Sequence, residues 1–267
     1  AMQAPANRPI KILAVYENGA GGHRASALAI AEAVRQHPGT EASTLDIGSL
    51  ALKARKRLYS KSIDVRYQMR PIVRFAFSFG LRPNPILTLN RAIESIVEPF
   101  VLRRFVDYFH EHKPDLLITT HFRVNIALNG FAERGHINVP IYSVIPDFMA
   151  HGLYPQKHID GYFVASDMAK ADLVSHGVDP ARVQVTGLPV SLTMGSVLSQ
   201  TPEELRRKLG LRVDLPVFLA TGGARGDQDY ETVLRTVEAL RAPIQGVVLC
   251  GWHTASKERR ERYCRSR

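Results

Sequence analysis

The chain has 267 residues, 45% of them apolar and 22% charged, with a formal net charge of +10. This is the composition of a globular protein with material for a real core, and its two cysteines, Cys250 and Cys264, exclude a disulfide framework and show no metal-like spacing. No apolar run reaches the ~18 residues of a membrane span, and the N-terminus lacks the basic-then-apolar pattern of a secretory signal.

In chain order, "IKILAVY" (10–16) predicts a short buried strand. A glycine loop follows, and "HRASALAIAEAVRQH" (23–37) predicts a helix stopped by Pro38-Gly39. Further strands are expected at 41–48, 114–121, 139–145, 161–166 and 182–187, with helices near 89–112, 123–134 and 167–177. Alternation of this kind predicts parallel strands joined by crossover helices, an α/β fold. "VSLTMGSVLSQ" reads as a connector, and Thr201-Pro202-Glu203-Glu204 as a capped helix start. A strand from 215, a glycine loop, a helix near 227–241 and a strand at 244–250 then repeat the order of the N-terminus. The expected division is a domain over 1–190, a linker and helix over 191–210, and a partial second domain over 211–267 with a frayed basic tail. Two parallel strands are few for a free-standing domain, so a fragment or an early end of the reading frame is expected.

Charge is unevenly placed. Residues 51–104 carry twelve Lys/Arg against three acids, a local +9. Lys53, Arg55, Lys56 and Arg57 open this stretch, and aromatic and aliphatic residues are interleaved with the bases as far as Arg82. Basic stems beside apolar side chains suit a lipid headgroup boundary. Arginines with aromatics also suit nucleic acid. The membrane reading predicts contact with an anionic surface, and no nucleic acid partner is expected.

Three loops can carry chemistry. Gly19-Ala20-Gly21-Gly22-His23 lies between a strand and a helix, where open α/β sheets bind ligands and helix N–H groups favour anions. The same glycines can make a packing turn. The dinucleotide pattern G-x-G-x-x-G is matched by Gly19 and Gly21, but Arg24 stands at the third glycine; Asp46 lies where a ribose-binding acid would. His23 can exchange protons near neutrality, and the helix start favours its neutral form. In "VIPDFMAHGLY" (144–154), Asp147 follows a strand and His151 comes four residues later, on the same side if the segment is helical. Such a carboxylate can take a proton from an alcohol or orient a histidine that does, or it can cap a helix. Thr119, Thr120 and His121 end another strand. Gly222-Gly223, with Arg225 nearby, opens the loop after the strand from 215 and can hold a diphosphate.

Read together, "GAGGHRASALAIAEAV", "PDFMAHGLYPQKHIDGYFVASDMAKADLVSHGVDPARVQVTGLPV" and "LATGGARGD…VVLCGWHTASKE" resemble successive segments of the monogalactosyldiacylglycerol synthase and processive diacylglycerol glucosyltransferase family. The cell-wall transferase MurG is a more distant relative of that family. The resemblance implies a GT-B fold of two Rossmann-like domains, the second incomplete here. It implies transfer of a hexose from a UDP-sugar to diacylglycerol or a related lipid, with inversion and without a metal or cofactor. It implies a peripheral cytoplasmic protein on the inner face of the cell membrane. Carried over by position, His23 and Asp147 are the expected catalytic residues. His151 is expected at the acceptor, and Gly21, Gly22, Gly222 and Gly223 at the donor; from their place at a strand end, Thr120 and His121 are expected at the acceptor as well, with a structural role for His121 as the alternative. Pro146 stands where the family often has threonine, and Tyr154 where tryptophan is common. The family's downstream segment for the UDP base and ribose has no counterpart, so low or no activity is expected of the chain by itself. A non-catalytic membrane- or lipid-binding module is the alternative, and a MurG-like cell-wall lipid transferase a further one.

Overall fold

The computed structural model describes residues 8–18, 21–51, 85–222, 229–240 and 242–249, with the backbone alone for 85–92. Lys53, Arg55, Lys56, Arg57, Gly223, Arg225 and the tail from Cys250 lie outside the described residues. The chain divides into two compact units, 1–192 and 193–267.

The first unit is built on six parallel strands in the order β2-β1-β3-β4-β5-β6. These are β1 (Ile10–Tyr16), β2 (Thr40–Asp46), β3 (Leu116–Thr119), β4 (Ile141–Ile145), β5 (Gly161–Val164) and β6 (Val183–Val185). The helices are α1 (Gly21–Val34), α2 (Pro85–Val101), α3 (Arg104–His112), α4 (Phe122–Glu133) and α5 (Asp167–Ser175). The chain leaves β1 toward β2 on one side and leaves β3 toward β4 on the other. With right-handed crossovers, α1 and α4 must then cover opposite faces of the sheet. The carboxyl ends of β1 and β3 form the crevice between them, the topological switch point where α/β sheets take ligands.

Burial on both faces explains why Leu13, Ala14 and Val15 follow one another without alternation. On one side the Phe105 and Phe131 rings stack at 5.9 Å between α3 and α4; burying rings of this size contributes roughly 1.5–3 kcal/mol each. α2 lies very close to α4. A Cβ on Gly130 would come within 2.3 Å of Pro99 Cγ, so the missing side chain is what allows the approach. α3 ends at Lys113, whose left-handed backbone (φ 48°) lets its N–H reach the Phe109 carbonyl before Pro114.

Local expectations are corrected in three places. The helical stretch expected over 89–112 is two helices, α2 and α3, broken at Leu102-Arg103. The connector after Pro189 contains a short helix, α6 (Thr193–Leu198). Asp147 to His151 is not helical, so Asp147 caps no helix and the two side chains are not related by a helical turn.

The second unit holds α7 (Pro202–Lys208), β7 (Val217–Thr221), α8 (Tyr230–Ala239) and β8 (Gln245–Leu249). Thr201 and Glu204 form a reciprocal capping box on α7. The β7 and β8 strands pair in parallel, and the Tyr230 hydroxyl donates to the Leu249 carbonyl at 2.6 Å. Asp229 caps α8 through the Thr232 N–H.

Candidate active site

His23 is in the first turn of α1 and is buried. Its Nδ1 lies 2.6 Å from the Thr120 carbonyl, at the end of β3. A carbonyl only accepts, so Nδ1 carries the proton and the neutral ring keeps its lone pair on Nε2. Thr120 donates its hydroxyl to the His23 carbonyl at 2.9 Å, and its N–H reaches the Val15 carbonyl. Thr120 is fully buried with its polar groups used on β1 and α1. Its place is behind His23, as a support, and not at an exposed acceptor surface. Burial is the first cause of a lowered His23 pKa; the Asp147 carboxylate and the Thr120 carbonyl oppose it without winning. The neutral form expected from the helix start is therefore favoured, mainly by desolvation.

His121 caps α4, accepting the Arg123 N–H on Nδ1 at 3.3 Å. Its ring meets the His23 ring edge-on at 4.6 Å, and Phe122 extends the row to His151 at 4.7 Å. His121 Nδ1 also lies 3.6 Å from Glu17 Oε2, at the end of β1. Behind them Arg123 pairs with Glu98 through Nε at 2.8 Å and again through Nη2. Arg123 Nε is 3.8 Å from Glu17. Burial opposes the Arg123 charge, but Glu98 and Glu17 outweigh it and hold its pKa above the ordinary value.

Asp147 accepts the Tyr154 hydroxyl at 2.7 Å. Tyr154 is fully buried, and burial with the neighbouring carboxylate pushes its phenol well above the ordinary range, so it is a neutral donor. His151 accepts the Leu153 N–H on Nδ1 at 3.3 Å, which leaves the proton of the neutral ring on Nε2. His23 and His151 thus offer opposite functions at Nε2, an acceptor and a donor. Two further bonds fix the loop: Ser166 Oγ donates to the Phe148 carbonyl at 2.7 Å, and Asp172 accepts the Ala150 N–H at 3.0 Å.

Burial pushes His151 down to about 4; Asp147 opposes, while His176 and His23 act with burial. In the unfolded chain the ring should titrate near ~6.5. On acidification the unfolded state therefore takes up this proton first. The stability linked to His151 is complete above pH ~6.5 and is lost as pH falls toward about 4, amounting to roughly 3 kcal/mol at most. Urea midpoints at pH 7.5 and pH 5 should show this fall, and His151→Gln should reduce it. An equal fall in the variant would show that other groups carry the dependence.

Of the expected residues, His23, Thr120, His121, Asp147 and His151 gather at one sheet edge. Gly21 and Gly22 open α1 there. A Cβ on Gly22 would meet no atom within 4 Å, so packing does not demand this glycine. Space in front of a helix N-terminus suits an oxygen-rich ligand. Gly222 follows β7 in the second unit. Asp46 caps the turn Ile47–Leu50 and accepts the Asn18 N–H. Sequence reasoning missed Glu17, Glu98, Arg123 and the buried Asn125. A charged or amide side chain inside an otherwise apolar helix face, as in "RVNIAL" and "IESIVEPF", was the available signal. Among the described residues, no group of three or more His, Cys, Asp or Glu is placed to hold a metal ion.

The parallel sheet resembles solved structures at low sequence identity, which speaks to the fold alone. S. aureus MnaA in a co-structure with UDP superposes with a TM-score of 0.52 at 14% identity, over 93% of this chain and 65% of that one. A glycosyltransferase from Rickettsia africae ESF-5 gives 0.51 at 13% identity, over 95% and 64%. The fold is α/β of the GT-B type. Among curated proteins, processive diacylglycerol beta-glucosyltransferase of Bacillus subtilis (strain 168) is 30% identical over 162 residues, 58% of this chain and 40% of that protein. The protein of the same name from Bacillus cytotoxicus is 29% identical over 213 residues, 76% of this chain and 49% of its own length. The chain thus spans half or less of the length of these relatives. The family model for monogalactosyldiacylglycerol (MGDG) synthase matches residues 23–190, from the histidine of α1 to the end of the sheet unit. With His23, Asp147 and His151 inside that match at the switch point of the sheet, the chain belongs to the monogalactosyldiacylglycerol synthase family.

Proposed function

We propose that this chain carries the acceptor side of a lipid glycosyltransferase that moves a hexose from a UDP-sugar to diacylglycerol or a related lipid, with inversion. The observation that carries the reading is the meeting of His23, Asp147 and His151 at the switch point, in a chain whose curated relatives are named diacylglycerol glucosyltransferases. The acceptor hydroxyl gives its proton to His23 Nε2 as its oxygen bonds to the anomeric carbon. The bond from that carbon to the diphosphate breaks, and its electron pair leaves with the UDP. Asp147 offsets the imidazolium that forms. The His151 Nε2–H donates to an acceptor oxygen, and the Gly21-Gly22 end of α1 faces anionic oxygens. Gly222 and Gly223 serve the donor diphosphate.

A lipid surface is the proposed partner. α2 turns Ile93, Ile96, Val97 and Phe100 outward, 52%, 68%, 45% and 63% exposed, at helical spacing on one face. The Arg103 guanidinium lies 5.7 Å from the Phe100 ring centre. An apolar stripe edged by a cation suits an anionic interface, as does the basic composition of the sequence stretch with Lys53, Arg55, Lys56 and Arg57. Among the described residues no helix is long and apolar enough to cross a membrane. Contact with the inner face of the cell membrane is therefore proposed as peripheral.

The test offers UDP-glucose or UDP-galactose and diacylglycerol in phosphatidylglycerol vesicles to the chain, alone and joined to the C-terminal half of a relative. Glycolipid is read by mass spectrometry and vesicle binding by flotation. We expect glycolipid from the joined form, and binding that weakens at least severalfold in Ile96→Glu/Phe100→Glu. Binding without glycolipid in either form would leave a lipid-binding module and overturn the transferase.

A further inference from the structure

The loop after β4 carries Asp147 without a helix to hold it, yet the carboxylate lies within electrostatic reach of both His23 and His151. What fixes it is a line of hydrogen bonds from the core. Asn125, fully buried in α4, accepts the Thr119 hydroxyl of β3. Its amide donates to Ser143 Oγ of β4 at 2.9 Å and to the Tyr154 carbonyl at 3.0 Å. The Tyr154 phenol then donates to Asp147 Oδ2 at 2.7 Å. We infer that Tyr154, backed by Asn125, is the positioning residue that holds the Asp147 carboxylate between the two histidines.

Three features support this role. Each link joins a different element, so β3, β4 and α4 together hold the Tyr154 backbone from which the phenol reaches Asp147. The phenol can only donate to a carboxylate, so the bond has one sense. Ser166 and Asp172 hold the backbone at Phe148 and Ala150, but the side chain of Asp147 is aimed by Tyr154. The kinetic consequence rests on the transferase reading; the placement of the carboxylate does not.

Tyr154→Phe removes the hydroxyl and keeps the ring. Histidine Cε1–H resonances are followed against pH in the full chain. His23 faces Asp147, the Thr120 carbonyl, His121 and His151; His151 faces Asp147, His176, His23 and Tyr154. A released carboxylate turns away, and both rings lose negative charge that favours their protonated form. We expect the His23 and His151 midpoints to fall. Unchanged or higher midpoints for His23 and His151 would overturn the inference. If Tyr154→Phe does not fold, Asn125→Ser, which loosens the Tyr154 carbonyl, is read the same way. In the transfer assay kcat should drop about ten- to a hundredfold with the donor KM unchanged. A joined form without transfer activity removes the transferase reading, while the histidine midpoints still decide the positioning role.

Discussion

His23→Ala is expected to lower turnover by roughly 10²–10⁴-fold, the usual worth of a positioned general base. The argument rests on one atom. Nδ1 donates its proton in a hydrogen bond to the Thr120 carbonyl, so Nε2 alone has a lone pair at neutral pH. Burial keeps the ring neutral before reaction, and Asp147 offsets its charge after the proton arrives. Steady-state transfer kinetics on the joined form would check this, with the donor KM expected to change little. A loss below about fivefold would move the base to Asp147. Asp147→Asn would then be the more damaging change, although under the assignment to His23 it acts only by removing the offsetting charge.

The largest stability effect is expected at Arg123. Glu98 is fully buried and Glu17 is 2% exposed, and both face this one guanidinium. Arg123→Met keeps most of the side-chain volume but leaves carboxylates in a poorly solvated place. Breaking a buried pair from one side costs about 3–5 kcal/mol. Urea unfolding at pH 7.5 should show a loss of this order. Arg123→Met/Glu98→Leu should recover a good part of it, because the orphaned charge goes with its partner. If the double variant is no more stable than the single one, the ion pair is not the source of the loss. Arg123 follows Phe122 at the start of α4, beside the cap His121, so part of the cost will be a looser site.

The expected strands at 10–16, 139–145 and 161–166 were legible because parallel strands buried on both faces leave short unbroken apolar runs. The capping box of Thr201 and Glu204 was legible because its partners are three residues apart. His23 and Asp147 stood out because each follows a strand end, where α/β sheets present chemistry. The failures have equally specific causes. The i, i+4 spacing in "PDFMAH" permits a helix, but its backbone is held by Ser166, the cap of α5, and by Asp172 within α5. The Thr120 hydroxyl is used on the carbonyl of a residue 97 positions away, a partner no local pattern shows.

The sequence by itself determined most of the strands and helices, the family and the candidate residues, since apolar period, glycine placement and strand ends are local properties. Only the tertiary structure decided which of those residues meet. Parallel strands pair through crossovers, so β1 and β3 become neighbours across a hundred residues of chain that no spacing rule spans. That pairing set the proton of His23, and it assembled Glu17, Arg123 and Glu98 from three distant segments. The line from Asn125 through Tyr154 to Asp147 has the same origin. A buried polar group is satisfied by whatever the fold brings to it, and its partners are written in no single stretch of sequence.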